Sequence, residues 1–149
     1  MMNLSRKALL ALEAVLDVAI HARPDPVQAR EITARQGVPQ RYLEQVMQAL
    51  VRANILRGVR GPRGGYRLAR ERRRISVRDI IAVINDLEEQ ENEPVSHSDL
   101  GQTVIQPLCQ RLHSAIEKEI GDLTIADLCD DAHRHGQDIS PAQNSDFTI

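Results

Sequence analysis

The residues able to do chemistry gather in a few places along the chain. Gln40, Arg41, Tyr42, Glu44 and Gln45 set several hydrogen-bonding side chains within two helical turns. An arginine can give two hydrogen bonds to guanine, a glutamine can pair with adenine, and a glutamate can accept from the amine of cytosine. Arg60, Gly61, Pro62, Arg63 and Gly64 form a second group, whose guanidinium groups suit phosphates or the negative potential of a narrow minor groove. Glycines there permit positive φ and a close approach to a partner. Lys7, with Arg6 beside it, is a third candidate, for a phosphate contact. Tyr42 suits packing with one polar contact better than base stacking.

Metal chemistry has thinner support. Cys109 with His113, and Cys129 with His133, are each spaced i, i+4, so each pair shares a helix face and offers two ligands. Two ligands do not complete a site, and His97 or a second copy of the chain would have to supply more. Catalysis finds no pattern. There is no nucleophile elbow, and Gly61–Gly65 lacks the lysine and following helix of a phosphate loop.

These groups need elements to hold them. Ser5 is a suitable N-cap for a helix from Arg6 to Ala22, with Leu9, Leu12, Leu16 and Ala19 as its apolar stripe. The prolines at 24 and 26 break the chain, and a short helix over 28–36 then stops at Gly37. From Pro39 to Ala53 the residues Leu43, Val46, Met47, Leu50 and Val51 make a helical stripe. Two short helices across a glycine turn match a helix-turn-helix. Leu56–Arg60 and Tyr66–Leu68 read as strands of a hairpin wing, studded by Arg57, Arg60, Arg63 and Arg67. Ser76 caps a further helix carrying Val77, Ile80, Ile81 and Ile84.

Six acids and no lysine or arginine from Asp86 to Asp99 predict a solvated loop. Thr103 then caps a long helix to about Asp122, where Pro107 sits near the limit of a tolerant first turn. Its stripe of Val104, Leu108, Leu112, Ile116 and Ile120 is a dimerisation face, since a small winged domain already has its own core. Thr124 caps a last short helix to His133. The expected organisation is a winged helix-turn-helix domain over 1–85, an acidic linker over 86–102, the dimer helix and a short helix over 103–135, and a mobile tail over 136–149.

Composition sets the frame. A chain of 149 residues with 42% hydrophobic and only 2% aromatic residues predicts one mainly helical domain with an aliphatic core and an appendage. No apolar run reaches the roughly 18 residues of a membrane span, and Glu13 and Asp17 interrupt any signal-peptide core. Two cysteines without a framework point to a reducing cytoplasm. Charge is segregated: residues 1–74 hold 15 Lys+Arg against 6 Asp+Glu, and residues 75–149 hold 4 against 15. The basic half suits nucleic acid, and the acidic half leaves room for a protein partner.

Three segments together, Leu4-Ser-Arg-Lys7, Gly37-Val-Pro-Gln-Arg-Tyr-Leu-Glu-Gln45 and Val59-Arg-Gly-Pro-Arg-Gly-Gly-Tyr66, resemble the IscR/NsrR/CymR type of bacterial winged-helix transcription factors. The resemblance runs from Met2 to Leu87 and more loosely from Leu100 to Cys129. It implies a cytoplasmic homodimer with a long crossed dimer helix, binding double-stranded DNA as a repressor. It also implies DNA reading by Arg41, Glu44, Gln45 and Arg60, and sensing of iron–sulfur status, nitric oxide, redox state or cysteine supply. Cluster-bearing members place three cysteines before and at the start of the dimer helix. Here the matching places hold Glu91, His97 and Thr103, and the acidic ligand in the first helix is matched by Ala8. A three-cysteine cluster site is therefore absent. Two alternatives follow: an atypical iron–sulfur, metal or redox sensor using Cys109 with His97 and His113, or a protein-interaction adapter.

Overall fold

Ser5 opens the first helix as expected. Its Oγ accepts from the amide of Ala8 at 3.1 Å, satisfying one of the free donors of the first turn, and α1 runs Arg6–His21. This computed structural model describes residues 4–91 and 97–136. After α1 come α2 (Ala29–Gln36), α3 (Gln40–Arg52), strands β1 (Leu56–Val59) and β2 (Gly65–Leu68), α4 (Val77–Glu91), α5 (Gln106–Ile120) and α6 (Ile125–Arg134). The fold is mainly α, with one two-stranded antiparallel sheet among the described residues. None of the described helices is long and apolar enough to cross a membrane.

The core is aliphatic and centred on α1, but the stripe on α1 is not the leucine one. Ala8, Ala11, Ala14, Val15, Val18 and Ala19 are buried, Leu12 and Leu16 are half-buried, and Leu9 is half exposed. The reason is crowding. α2, α3, α4, α6 and β2 all pack on α1, and small side chains let their backbones come close. The displaced leucines instead line an open apolar cleft with Leu128 of α6. Ile32, Leu43, Met47, Leu50, Ile55, Ile80 and Ile84 fill the remaining core, each contributing about 1.5–3 kcal/mol when fully buried.

The helix-turn-helix closes as its glycine predicts. Gly37 adopts φ +67°, and its amide bonds the carbonyl of Thr33 at 2.9 Å. An unforeseen lock fixes α2 against α1: buried Asp17 accepts from Nε and Nη2 of Arg35 and from Nε2 of Gln36. In the wing, Leu56 pairs with Leu68 and Val59 with Gly65. The breaker segment also takes part, because Val27 exchanges backbone hydrogen bonds with Tyr66 at 3.0 and 2.7 Å and makes an isolated antiparallel bridge beside β2.

The acidic stretch differs from its reading as a loop. α4 continues to Glu91, with Ser76 as its cap (its Oγ accepts from the amide of Asp79), so the first acids lie on a helix whose apolar face is held by Ile80, Ile81 and Ile84. Tertiary burial outweighs local composition there. Residues 92–96, in the rest of the acidic stretch, and the tail over 137–149 lie outside the described residues.

The helix expected to open at Thr103 starts earlier. Helical structure begins at Asp99, and Ser98 Oγ accepts from the amide of Gly101 at 3.0 Å; Thr103 Oγ1 instead donates to the Asp99 carbonyl. A π-helical turn over Gly101–Ile105 leads into α5, whose second residue is Pro107. The proline has no amide to donate and its ring crowds the preceding turn, so the helix widens ahead of it. Thr124 caps α6 through a capping box with Asp127, and backbone bonds from Val77 to Leu123 and from Ile125 to Ile75 tie the starts of α4 and α6 together.

Candidate nucleic-acid interface

α3 turns Leu43, Val46, Met47 and Leu50 inward, which leaves Gln40, Arg41, Tyr42, Glu44 and Gln48 exposed and Gln45 half-buried. Gln40 donates to Glu44 at 3.2 Å, an i, i+4 pair that holds both side chains along the helix. Arg41 is exposed beside them. The wing joins this face at its base. Burial, and after it the charge of Glu44 on α3, raises the phenol of Tyr66 on β2 above its ordinary range.

At the wing tip, Arg60, Gly61, Pro62 and Arg63 are exposed. Gly61 takes φ +111°, which only glycine adopts at low cost. Gly64 has another role than the one expected. It is buried, and a Cβ there would stand 2.2 Å from the carbonyl oxygen of Val59, so its small size closes the hairpin on itself rather than admitting a partner. Likewise a Cβ on Gly65 would meet the Val27 carbonyl at 2.4 Å. Arg67 is also occupied within the protein, donating to the carbonyl of Pro24.

Lys7 departs most from its expected place. It is only 8% exposed, its Nζ lies 5.2 Å from the ring centroid of Tyr42, and it donates to Gln45 Oε1 at 3.4 Å. A phosphate contact would have needed the ammonium turned outward. Arg6 lines the apolar cleft with Leu9, Leu10, Leu12, Glu13, Leu16 and Leu128.

The face of α5 divides in two. Leu100, Val104, Leu108 and Leu112 follow one another at four-residue intervals and are exposed, with Leu100 at 67% and Leu112 at 56%. Ile116 and Ile120 pack instead against Val77 and Ile81 of their own chain, beside Leu12 and Leu128. Among the described residues no three His, Cys, Asp or Glu side chains come together as a metal site. Cys109 is half-buried on α5, His113 faces Glu117 at 3.6 Å, and His97 is exposed. Cys129 is buried, which raises its thiol above the usual range against the opposing pull of Arg72.

Sequence reasoning missed Asp17, Arg35, Gln36 and Val27. The signal for the lock was an acid flanked by Val15 and Val18 on a buried helix face, which demands a nearby cation.

A two-helix unit, a capped glycine turn and a following wing are thus present with a basic, hydrogen-bonding outer face. The chain matches the family model described as "Rrf2: Iron-dependent Transcriptional regulator" over residues 4–131. This chain belongs to the Rrf2 family. It is 34% identical over 152 residues to the HTH-type transcriptional regulator IscR of Vibrio atlanticus, covering 98% of this chain and 88% of that one. Against the IscR of Vibrio cholerae it is 41% identical over 85 residues, 57% of this chain and 49% of the relative. Among solved structures, T. potens IscR superposes with a TM-score of 0.67 at 35% identity, covering 87% of this chain and 88% of that one. CymR of B. subtilis, titled the global cysteine regulator, gives 0.66 at 25% identity over 87% and 98% of the two chains.

As an Rrf2 protein the chain is a DNA-binding transcriptional regulator with a winged-helix fold, and not an enzyme. The donor set does not fit a three-thiolate iron–sulfur cluster. The whole sequence has two cysteines, one of them buried in α6, and the described histidines and acids add no third ligand to either.

Proposed function

We propose that this Rrf2 protein represses transcription as a homodimer that reads a pseudo-palindromic operator with α3 and the wing of each copy. The observation that carries the reading is that Gln40, Arg41 and Glu44 on α3 and Arg60 and Arg63 at the tip of the hairpin packed against α3 are all exposed. In this arrangement Arg41, Glu44 and Gln45 meet base edges in the major groove, while Arg60 and Arg63 meet phosphates or the minor groove. Gln40 steadies Glu44, and Gly61 and Pro62 shape the tip.

Dimerisation rests on the exposed stripe of Leu100, Val104, Leu108 and Leu112. Four large apolar side chains in a row on one helix favour a twin, because a symmetric pair buries the same patch twice. The cleft lined by Leu9, Leu12, Leu16 and Leu128 offers the second copy a further apolar surface. The test is sedimentation of wild type and Leu112→Asp, together with transcription from the promoter of its own operon with and without the protein. A wild-type dimer, a monomeric variant and transcription that rises on deletion support the proposal. A wild-type monomer, or transcription that falls on deletion, contradicts it.

A further inference from the structure

We infer that Arg78 is a positioning residue for operator recognition, which clasps the end of α5 to the start of α4 and thereby fixes the half-site spacing that a homodimer accepts. The inference rests on the proposed dimer through α5. Arg78 is the second residue of α4. Its Nη2 donates to the carbonyl of Gly121 at 2.8 Å and to that of Glu117 at 3.5 Å. Both carbonyls lie at the end of α5, where a helix leaves acceptors unpaired and its dipole favours a cation. The Glu117 carbonyl also takes the amide of Gly121 at 3.0 Å, so one guanidinium grips the closing turn on both sides.

The clasp spans a joint. α5 ends at Ile120, and Gly121 turns the chain with φ +55° and ψ −127°. The backbone bonds from Val77 to Leu123 and from Ile125 to Ile75 hold the chain beyond that glycine. Along α5 itself, Ile116 and Ile120 pack on Val77 and Ile81, and apolar contact of this kind is non-directional. Arg78 adds the directional bonds that fix the angle of α5. That angle reaches DNA, because α4 packs on both α5 and α3. At its other end α5 carries the exposed Val104, Leu108 and Leu112 of the proposed dimer face. The 15 residues of α5 make a lever about 22 Å long. A tilt of about 10° at the joint moves its far end by about 4 Å, close to the roughly 3.4 Å rise of one base pair. In a symmetric pair the tilt enters twice.

The test is binding to duplexes that carry one selected pair of half-sites at the preferred spacing and at one base pair more or less. Wild type, Arg78→Met and Ile80→Val are compared, with each thermal midpoint recorded. Arg78 is exposed, so methionine removes its donors without opening the core. Ile80→Val instead weakens α4 from the face turned to the main core. One base pair turns a half-site by about 35° relative to its twin. Wild type should therefore prefer one spacing by roughly tenfold, the scale of a mismatched base pair. Arg78→Met should bring the spacings to within about threefold of one another, with base preferences inside each half-site unchanged. Ile80→Val should keep the wild-type spacing preference at a lower midpoint. A preference that survives Arg78→Met, or that Ile80→Val relaxes equally, would overturn the inference. So would equal weakening at every spacing with a salt slope smaller by about one, the mark of a phosphate contact. A wild type that binds every spacing alike would overturn the dimeric reading beneath it, whereas a wild-type preference indifferent to Arg78 overturns this inference alone.

Discussion

The carboxylate of Asp17, in the middle of α1, takes Nε of Arg35 at 2.9 Å and Nη2 at 2.7 Å, and so fastens the first helix of the helix-turn-helix to the centre of the core. Asp17 is 2% exposed, while the side chain of Arg35 keeps 35% of its surface. Breaking such a pair leaves a charge in the core with its solvation gone. Arg35→Ala should lower the unfolding free energy by about 2–3 kcal/mol, below the usual 3–5 because Arg35 is partly solvated and Gln36 still donates. Urea denaturation checks it, and a change under about 0.5 kcal/mol, the size of an ordinary surface substitution, would contradict it.

The wing can be opened without touching any arginine. Gly64→Ala would drive a methyl to 2.2 Å from the Val59 carbonyl, whereas Gly58→Ala meets nothing within 4 Å. Gly64→Ala should therefore speed amide exchange across residues 56–68 and weaken DNA binding, with the helical core intact. Gly58→Ala should leave the hairpin closed, apart from a small backbone-entropy effect. Equal exchange in the two variants would sink this account of the tip.

Acid should loosen the packing between α1 and α2. Burial, and after it the charge of Arg35, lower the pKa of His21 below the ordinary histidine range. The unfolded chain then binds a proton more readily than the folded one, so the stabilising contribution is complete above the unfolded pKa and is lost as pH falls through the folded one. Wild type should lose stability on descending from neutral pH through that window, and His21→Gln should lose less. Parallel curves for the two proteins would contradict the assignment.

The cysteines should differ in reactivity. Cys129 is buried with its thiol pushed up, while Cys109 is half-buried. Alkylation at neutral pH should modify Cys109 well before Cys129, because the thiolate is the reacting species and needs access. Mass spectrometry of digested samples resolves the order, and the reverse order would contradict the placement of α6.

Much of this was legible in the sequence, for identifiable reasons. Ser5, Gly37, Ser76 and Thr124 mark helix ends with side chains or conformations that few other residues supply, and the helices stop and start there. The alternation of glycines and arginines after α3 gave the wing to within a residue. The misses share one cause, which is that tertiary neighbours are invisible to local patterning. The buried stripe of α1 is alanine and valine because several elements crowd it, α4 runs into its acids because its other face is buried, and Lys7 turns inward because Tyr42 and Gln45 lie beside it. Val27 bridges to Tyr66 through its backbone, which no side-chain pattern announces.

The most direct test of the whole account is the affinity of wild type and Arg60→Ala for a selected duplex, measured across rising salt. DNA recognition by an exposed arginine tip predicts tight wild-type binding that falls steeply with salt, and weaker binding by Arg60→Ala with the slope reduced by about one released counterion. Binding that is flat in salt and identical in the two proteins would contradict it.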